Sequence, residues 1–184
     1  GHVSVPLYPT LQGDVINYCL EHSESQLLFV GKTSKWAEQK KYISKKIKKI
    51  HFPDWEKEDC ESWNNIIDKQ KPITKNYLPK FEDLVTIIYT SGTTGMPKGV
   101  MHHVKAFAFA ATALLNEISS LGLLSDNERF LSFLPLSHIA ERMLVEMGGL
   151  YAGAPISIAE SIEKMPENLR DTQPTVFLAV PLIW

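Results

Sequence analysis

Between residues 89 and 100 the chain reads Tyr-Thr-Ser-Gly-Thr-Thr-Gly-Met-Pro-Lys-Gly-Val. Three threonines, a serine, three glycines and a lysine stand there, directly after the apolar run Leu84–Tyr89. Glycines let a backbone turn sharply and bring its N–H groups close to an anion. The hydroxyls of Thr90, Ser91, Thr93 and Thr94 can donate to phosphate oxygens or ligate Mg²⁺. Lys98 adds a positive charge that reaches the same phosphates. Every part suits a polyphosphate. Two common nucleotide loops are excluded. A Walker loop needs Gly-x-x-x-x-Gly-Lys-Ser/Thr, but counting from Gly92 the second glycine position holds Pro97, and Gly99 follows Lys98. No Gly-x-Gly-x-x-Gly occurs either. A plain glycine-rich turn between two strands is the competing reading. Five consecutive small or hydroxyl residues followed by Gly-x-Pro-Lys-Gly exceed what a turn requires.

Other chemistry-bearing residues are more ambiguous. His138 follows Leu134-Pro-Leu-Ser at an expected strand-to-helix junction, where α/β sheets commonly place binding residues. Residue types alone favour a histidine that satisfies backbone groups at a helix start. Glu141 and Arg142 read as ion-pair partners of each other or of neighbours on a helix surface. His102 and His103 invite a metal reading, but no carboxylate or cysteine stands at ligand spacing nearby. They are expected to finish the strand after the loop.

The elements that must carry these residues alternate between strand-like and helix-like, the pattern of an α/β fold with a largely parallel sheet and flanking helices. Strands are expected at His2–Leu7, Gln26–Val30, Lys49–Phe52, Leu84–Tyr89, Arg129–Leu134 and Ile156–Ala159. Helices are expected at Gly13–His22, Ser34–Ile47, Ser62–Lys69, Ile139–Tyr151 and Ile162–Asp171. Val104, Phe107, Ala108, Ala111, Leu114, Leu115 and Ile118 recur at helical spacing. Phe109 and Ala113 widen that face, which predicts a helix buried on most sides. Residues 53–80 are polar, contain Pro72 and Pro79, and read as a surface excursion. There is no internal repeat.

Composition narrows the class. At 184 residues the chain fits one domain or part of a larger one. A formal net charge of −2 gives no basic field for nucleic acid. The longest largely apolar runs, Ala106–Leu115 and Val176–Trp184, fall well short of the ~18 residues of a membrane span. Cys19 and Cys60 stand alone with no Cys-x-x-Cys pair, which fits reduced thiols in the cytoplasm better than a disulfide or zinc scaffold. Neither end reads as a natural boundary. The chain lacks an initiator Met, and Val176–Trp184 stops without the polar residues usual at a domain edge.

Thr90-Ser-Gly-Thr-Thr-Gly-Met-Pro-Lys-Gly99 resembles the phosphate-binding signature of the adenylate-forming (AMP-binding) superfamily, and the resemblance runs along essentially the whole chain. Within it, Gly1-His-Val-Ser-Val-Pro-Leu-Tyr-Pro-Thr10, Phe133-Leu-Pro-Leu-Ser-His-Ile-Ala-Glu-Arg142 and Pro174-Thr-Val-Phe-Leu-Ala-Val-Pro181 are similar to segments of the long-chain fatty acid–CoA ligase branch. Leu182 departs from it, since that branch often carries Arg after the Val-Pro pair. The resemblance implies that residues 1–184 are part of the large N-terminal domain of an acyl-CoA synthetase. It implies ATP, Mg²⁺ and CoA as reaction partners and a fatty acid as substrate.

Carried onto this sequence, the resemblance assigns phosphate contact to Thr90, Ser91, Gly92, Thr93, Thr94, Gly95, Lys98 and Gly99. It places Thr90 or Thr94 at Mg²⁺, and Lys98 and His138 at the reaction. His138 would sit by the acyl carboxylate at the mouth of a fatty-acid tunnel, to which Phe107, Phe109 and Leu114 could contribute if they are not simply core. Eight lysines lie between Lys32 and Lys49 against one acid, Glu38. They read as a patch for anionic lipid or a CoA phosphate, or as the solvated face of an amphipathic helix. Peripheral membrane contact and self-association both remain compatible with the sequence. No Tyr-Gly-x-Thr-Glu-type adenine segment, ribose-binding Asp, hinge or C-terminal catalytic lysine is found in the chain.

Overall fold

Helix α1 (Gly13–His22) buries Ile16, Cys19 and Leu20, which stand three and four residues apart and so share one face. The computed structural model describes residues 1–90, 95–120, 122 and 127–179, the side chain of Leu115 excepted. Two compact units emerge: Gly1–Pro79 with Val85–Met101, and Lys80–Leu84 with the chain from His102 onward.

In the first unit α1 ends at Ser23, whose hydroxyl donates to the Cys19 carbonyl at 2.6 Å. Strand β1 (Leu27–Val30) follows and pairs in parallel with β2 (Lys48–His51), Leu27 opposite Lys48 and Val30 opposite His51. A third short strand, β3 (Glu61–Ser62), lies parallel to β2. Ile16, Leu20, Val30, Trp36, Ile43 and Ile47 form the core beneath.

The crossover from β1 to β2 differs from the long helix expected at Ser34–Ile47. Only α2 (Trp36–Gln39) is α-helical. Beyond it the chain turns through shorter bonds, such as Tyr42 N–H to the Gln39 carbonyl and Ile47 N–H to that of Ser44. Lys41 and Lys45 would stack as like charges four residues apart on a helix. The Ser44 hydroxyl instead accepts the Lys46 N–H, a local bond that competes with helix. The buried stripe of Trp36, Ile43 and Ile47 survives the change. The lysine run is partly neutralised: Lys40 pairs with Glu58 and Asp59 at 2.7 and 2.9 Å, and Lys48 with Glu61 at 2.8 Å. Helix α3 (Trp63–Ile67) sets Trp63 against Phe29 and Phe52, with each ring pair 5.9 Å apart.

Strand β4 (Leu84–Thr90) precedes the segment expected to bind phosphate, and β5 (Lys98–His103) follows that segment and pairs with β4. The expected strand at His2–Leu7 reduces to one parallel bridge between Ser4 and Thr86. Pro6 has no N–H to extend the ladder. Thr86 is wholly buried, and its hydroxyl donates to the Ser4 carbonyl at 2.8 Å.

In the second unit, residues 81–83 seat the start of α4 (Val104–Ser120). The Val104 and Lys105 N–H groups donate to the carbonyls of Asp83 and Phe81, satisfying donors that a helix start otherwise leaves open. Phe107 and Ala111 are buried, but Phe109 is 78% exposed and Ala113 is also exposed. The helix therefore buries one side rather than most of its circumference. Strand β6 (Phe130–Ser132) pairs in parallel with β7 (Ile156–Ile158), Phe130 opposite Ile156.

Between them a continuous helical stretch begins at Ile139. It is π-helical over Glu141–Met147 and becomes α5 (Gly148–Ala152). A Cβ on Gly149 would lie 2.7 Å from two carbons of Ile156, so only glycine lets α5 approach β7 this closely. Gly153 ends α5 at φ +63°, a C-terminal position that glycine fills without strain. Helix α6 (Met165–Thr172) closes the unit. Among the described residues, no helix is long and apolar enough to cross a membrane.

Cys19 is fully buried, and burial pushes its thiol up to about 11. Near pH 8 about a thousandth of it is thiolate, the reactive form. A thiol-specific reagent under native conditions should label the half-buried Cys60 first and reach Cys19 only after denaturation. Peptide mapping that found Cys19 labelled as fast as Cys60 would contradict this packing.

Candidate active site

The segment expected to bind phosphate lies between β4 and β5, and the end of β4 is anchored. Tyr89, the last buried residue of β4, is 6% exposed. Its hydroxyl donates to the Cys19 carbonyl at 3.2 Å and meets His22 Nδ1 at 2.8 Å. A phenol has one proton, so with that proton on the carbonyl His22 is the donor to the tyrosine oxygen. Burial raises the tyrosine above its ordinary range. The foot of the loop is thereby fixed to α1.

Thr90 follows and is exposed. Its hydroxyl faces the Lys98 carbonyl at 3.5 Å, long enough that another acceptor could claim it. Ser91, Gly92, Thr93 and Thr94 lie outside the described residues. Gly95 adopts φ +111°, a conformation that a side chain would strain. Lys98 is exposed, and no ion pair among the described residues engages it. A Cβ on Gly99 would meet Ile87 Cγ2 at 2.9 Å and Tyr89 Cζ at 3.3 Å. Gly99 therefore has a packing reason of its own, in addition to any contact with an anion.

His102 and His103 finish β5, as their surroundings in the sequence suggest. His103 Nδ1 bonds the Glu82 carbonyl at 2.8 Å, and His102 packs edge-on against Phe107. Burial, followed by the nearby Arg142 charge, holds His102 below its usual range. Among the described residues no group of three potential metal ligands gathers anywhere.

His138 belongs to the second unit. Its N–H donates to the Pro135 carbonyl at 2.8 Å, its carbonyl accepts from the Glu141 and Arg142 N–H groups, and its Nδ1 accepts the Ala140 N–H at 3.2 Å. The imidazole is thus the N-cap of the helical stretch. With Nδ1 as acceptor, the neutral ring carries its hydrogen on Nε2.

Glu141 overturns the expectation of a helix-surface ion pair. It is 1% exposed and does not pair with Arg142, which lies against Glu146 at 3.5 Å. Its carboxylate accepts hydrogen bonds from the Ser132 hydroxyl and from the backbone N–H groups of Leu134 and Phe133, and burial still raises its pKa. A signal for it existed in the sequence. Glu three residues after a cap is the capping-box position. Here it reaches past the cap to the end of β6, because the His138 N–H is already taken by Pro135. Of the residues considered for a tunnel, Phe107 is core, Leu114 is half-buried and Phe109 faces solvent.

The AMP-binding enzyme family model matches residues 1–184. Among curated relatives, long chain acyl-CoA synthetase 4 of Arabidopsis thaliana is 30% identical over 200 residues, covering 100% of this chain and 30% of its own length. The long-chain-fatty-acid–CoA ligase ACSBG2 of Homo sapiens is 28% identical over 204 residues, covering 100% of this chain and 29% of its own. The chain therefore spans about a third of the relatives it matches. The anthranilate CoA ligase AuaEII, solved with anthranoyl-AMP, superposes with a TM-score of 0.81 at 19% identity over 98% of this chain and 36% of its own. That likeness is one of fold, and it agrees with the parallel strand pairing described above. On the family match over its full length, the chain belongs to the AMP-binding enzyme family.

Proposed function

We propose that this chain is the phosphate-binding and part of the acyl-binding portion of a long-chain fatty acid–CoA ligase. The observation that carries the reading is the β4–β5 hairpin, with exposed Thr90 and Lys98 flanking the loop of the signature and no ion pair on Lys98 among the described residues. The long-chain branch is supported by relatives aligned over the whole chain and by the Pro-Leu-Ser-His-Ile-Ala-Glu-Arg segment.

In the first step the fatty carboxylate attacks the α-phosphorus of ATP, forming acyl-adenylate and releasing pyrophosphate. The CoA thiol then attacks the acyl carbon and AMP leaves. A carboxylate is a poor acyl donor because its leaving group would be an oxide; adenylation supplies a better one. The protein neutralises phosphate charge and aligns the attack. Lys98 and the hydroxyls of Thr90, Ser91, Thr93 and Thr94 hold the phosphates.

The neutral hydroxyl of Thr90 fits Mg²⁺, which takes few protein ligands and completes its shell with phosphate oxygens and water. Thr90 or Thr94 would hold it, and the ion would supply charge neutralisation at the phosphates. The cytoplasm is the compartment this chemistry and the two thiols suit. Peripheral membrane contact is compatible with the exposed apolar side chains.

Three outcomes test the reading. Lys98→Ala in the intact enzyme should lose ~10–100-fold in adenylation, the worth of a charged hydrogen bond of ~1.5–3 kcal/mol, and keep its fold. Wild-type pyrophosphate exchange in that variant would remove Lys98 from the site. Palmitate should exceed acetate and aromatic acids in kcat/KM, because each buried methylene contributes ~0.8 kcal/mol; the reverse order would reject the long-chain branch. Residues 1–184 alone should bind ATP or pyrophosphate weakly and turn over no substrate, since alignment worth up to ~7–11 kcal/mol is incomplete. Fatty-acid-dependent pyrophosphate release by residues 1–184 at the rate of the intact enzyme would show that the residues needed are all here.

A further inference from the structure

We propose that Glu141 is the positioning residue that fixes the Phe133–His138 loop, and with it the His138 ring, against the end of β6, so that the acid substrate meets a preset imidazole. The inference rests on the adenylation reading and assigns a role within it that the phosphate loop does not explain.

The geometry is a closed ring of chain. At its far end the Glu141 carboxylate grips the Ser132 hydroxyl and the N–H groups of Phe133 and Leu134. At its near end the Glu141 N–H donates to the His138 carbonyl at 3.1 Å. Inside the ring, His138 bonds Pro135 through its N–H and Ala140 through Nδ1. Ser137, next to His138, buries its hydroxyl with no partner among the described residues. Buried polar groups without partners are uncommon and ask for a reason other than stability.

Energetics point the same way. A buried carboxylate loses its hydration, and the bonds it gains seldom do more than offset that loss. Where only stability mattered, an apolar or amide side chain would serve as well. What a buried charge with three donors adds is a single arrangement of the groups around it.

Glu141→Gln tests this, because it keeps the size, removes the charge and sets an amide N–H against backbone donors. In the chain itself, nitrogen-15 spectra of the His138 ring near pH 8, where an ordinary histidine is neutral, should show one Nε2–H tautomer. The variant should show averaged tautomers, with faster amide exchange at Phe133 and Leu134. In the intact enzyme the variant should lose on the order of 10–100-fold in kcat/KM for the fatty acid, as small misplacements do. The KM for ATP should stay within about twofold, even where Tm falls because buried donors lose their acceptor. A merely structural residue would impair both substrates together and leave the His138 ring spectra unchanged.

Both changes are required. Unchanged ring spectra, unchanged acid kinetics, or a parallel loss for acid and ATP each overturn the proposal. A wild-type enzyme without fatty-acid-dependent pyrophosphate release would instead sink the adenylation reading. The ring spectra need no substrate and would still decide whether Glu141 holds His138.

Discussion

Glu141 gives up its water, and the second unit is arranged around replacing it. The Ser132 hydroxyl and two loop amides supply the donors, which requires β6 to end where it does and the loop to fold back over the first helical turn. Phe130 and Leu131, both buried, hold β6 in the sheet so that Ser132 arrives in reach. The π-helical turns begin at Glu141 itself. Such turns are rare and commonly mark functional positions. A wider turn there changes how successive side chains are aimed, and a carboxylate pointing back toward a strand is one result.

The first unit depends on a comparable but uncharged fixture. The Tyr89 hydroxyl ties the last buried residue of β4 to α1, and the absence of a side chain at Gly99 lets β5 lie close upon it. Everything exposed on the hairpin, Thr90 and Lys98 included, extends from that base. In the proposed role of holding an anion, a loop gains from having its two ends fixed, since less freedom is lost when the anion arrives. The glycines thus divide into two kinds. Gly95 supplies a conformation and Gly99 a clearance.

Much of this was legible in the residues. Alternating apolar runs predicted an α/β fold with parallel pairing, and α1 falls at the expected Gly13–His22. What failed did so for local reasons. Like-charged lysines and a competing serine bond break the expected helix after Gln39, although the apolar stripe through Ile43 and Ile47 still finds the core. Pro6 limits a strand to one bridge at Ser4. Phe109 and Ala113 sit half a turn from Phe107 and Ala111, and apolar character alone did not say which side would be buried. At the site, residue types singled out the Thr90–Gly99 segment as the candidate for phosphate, because hydroxyls, glycines and a lysine carry their chemistry openly. Glu141 was read as surface because its capping-box spacing from His138 does not say that its carboxylate reaches back to Ser132 and the loop amides instead of the cap.

Gly149 carries a consequence for sequence drift. With two Ile156 carbons standing 2.7 Å from where its Cβ would be, a side chain at 149 obliges Ile156 to move or to be replaced. A side chain enters at 149 most easily where 156 is smaller. Shrinking 156 alone leaves a gap under the helix, with the loss of contacts that such a gap entails. Each single step is therefore unfavourable while the double step is open. Two sites in different elements thus behave as one unit of inheritance, and β7 keeps a partner in α5 for as long as that pairing lasts.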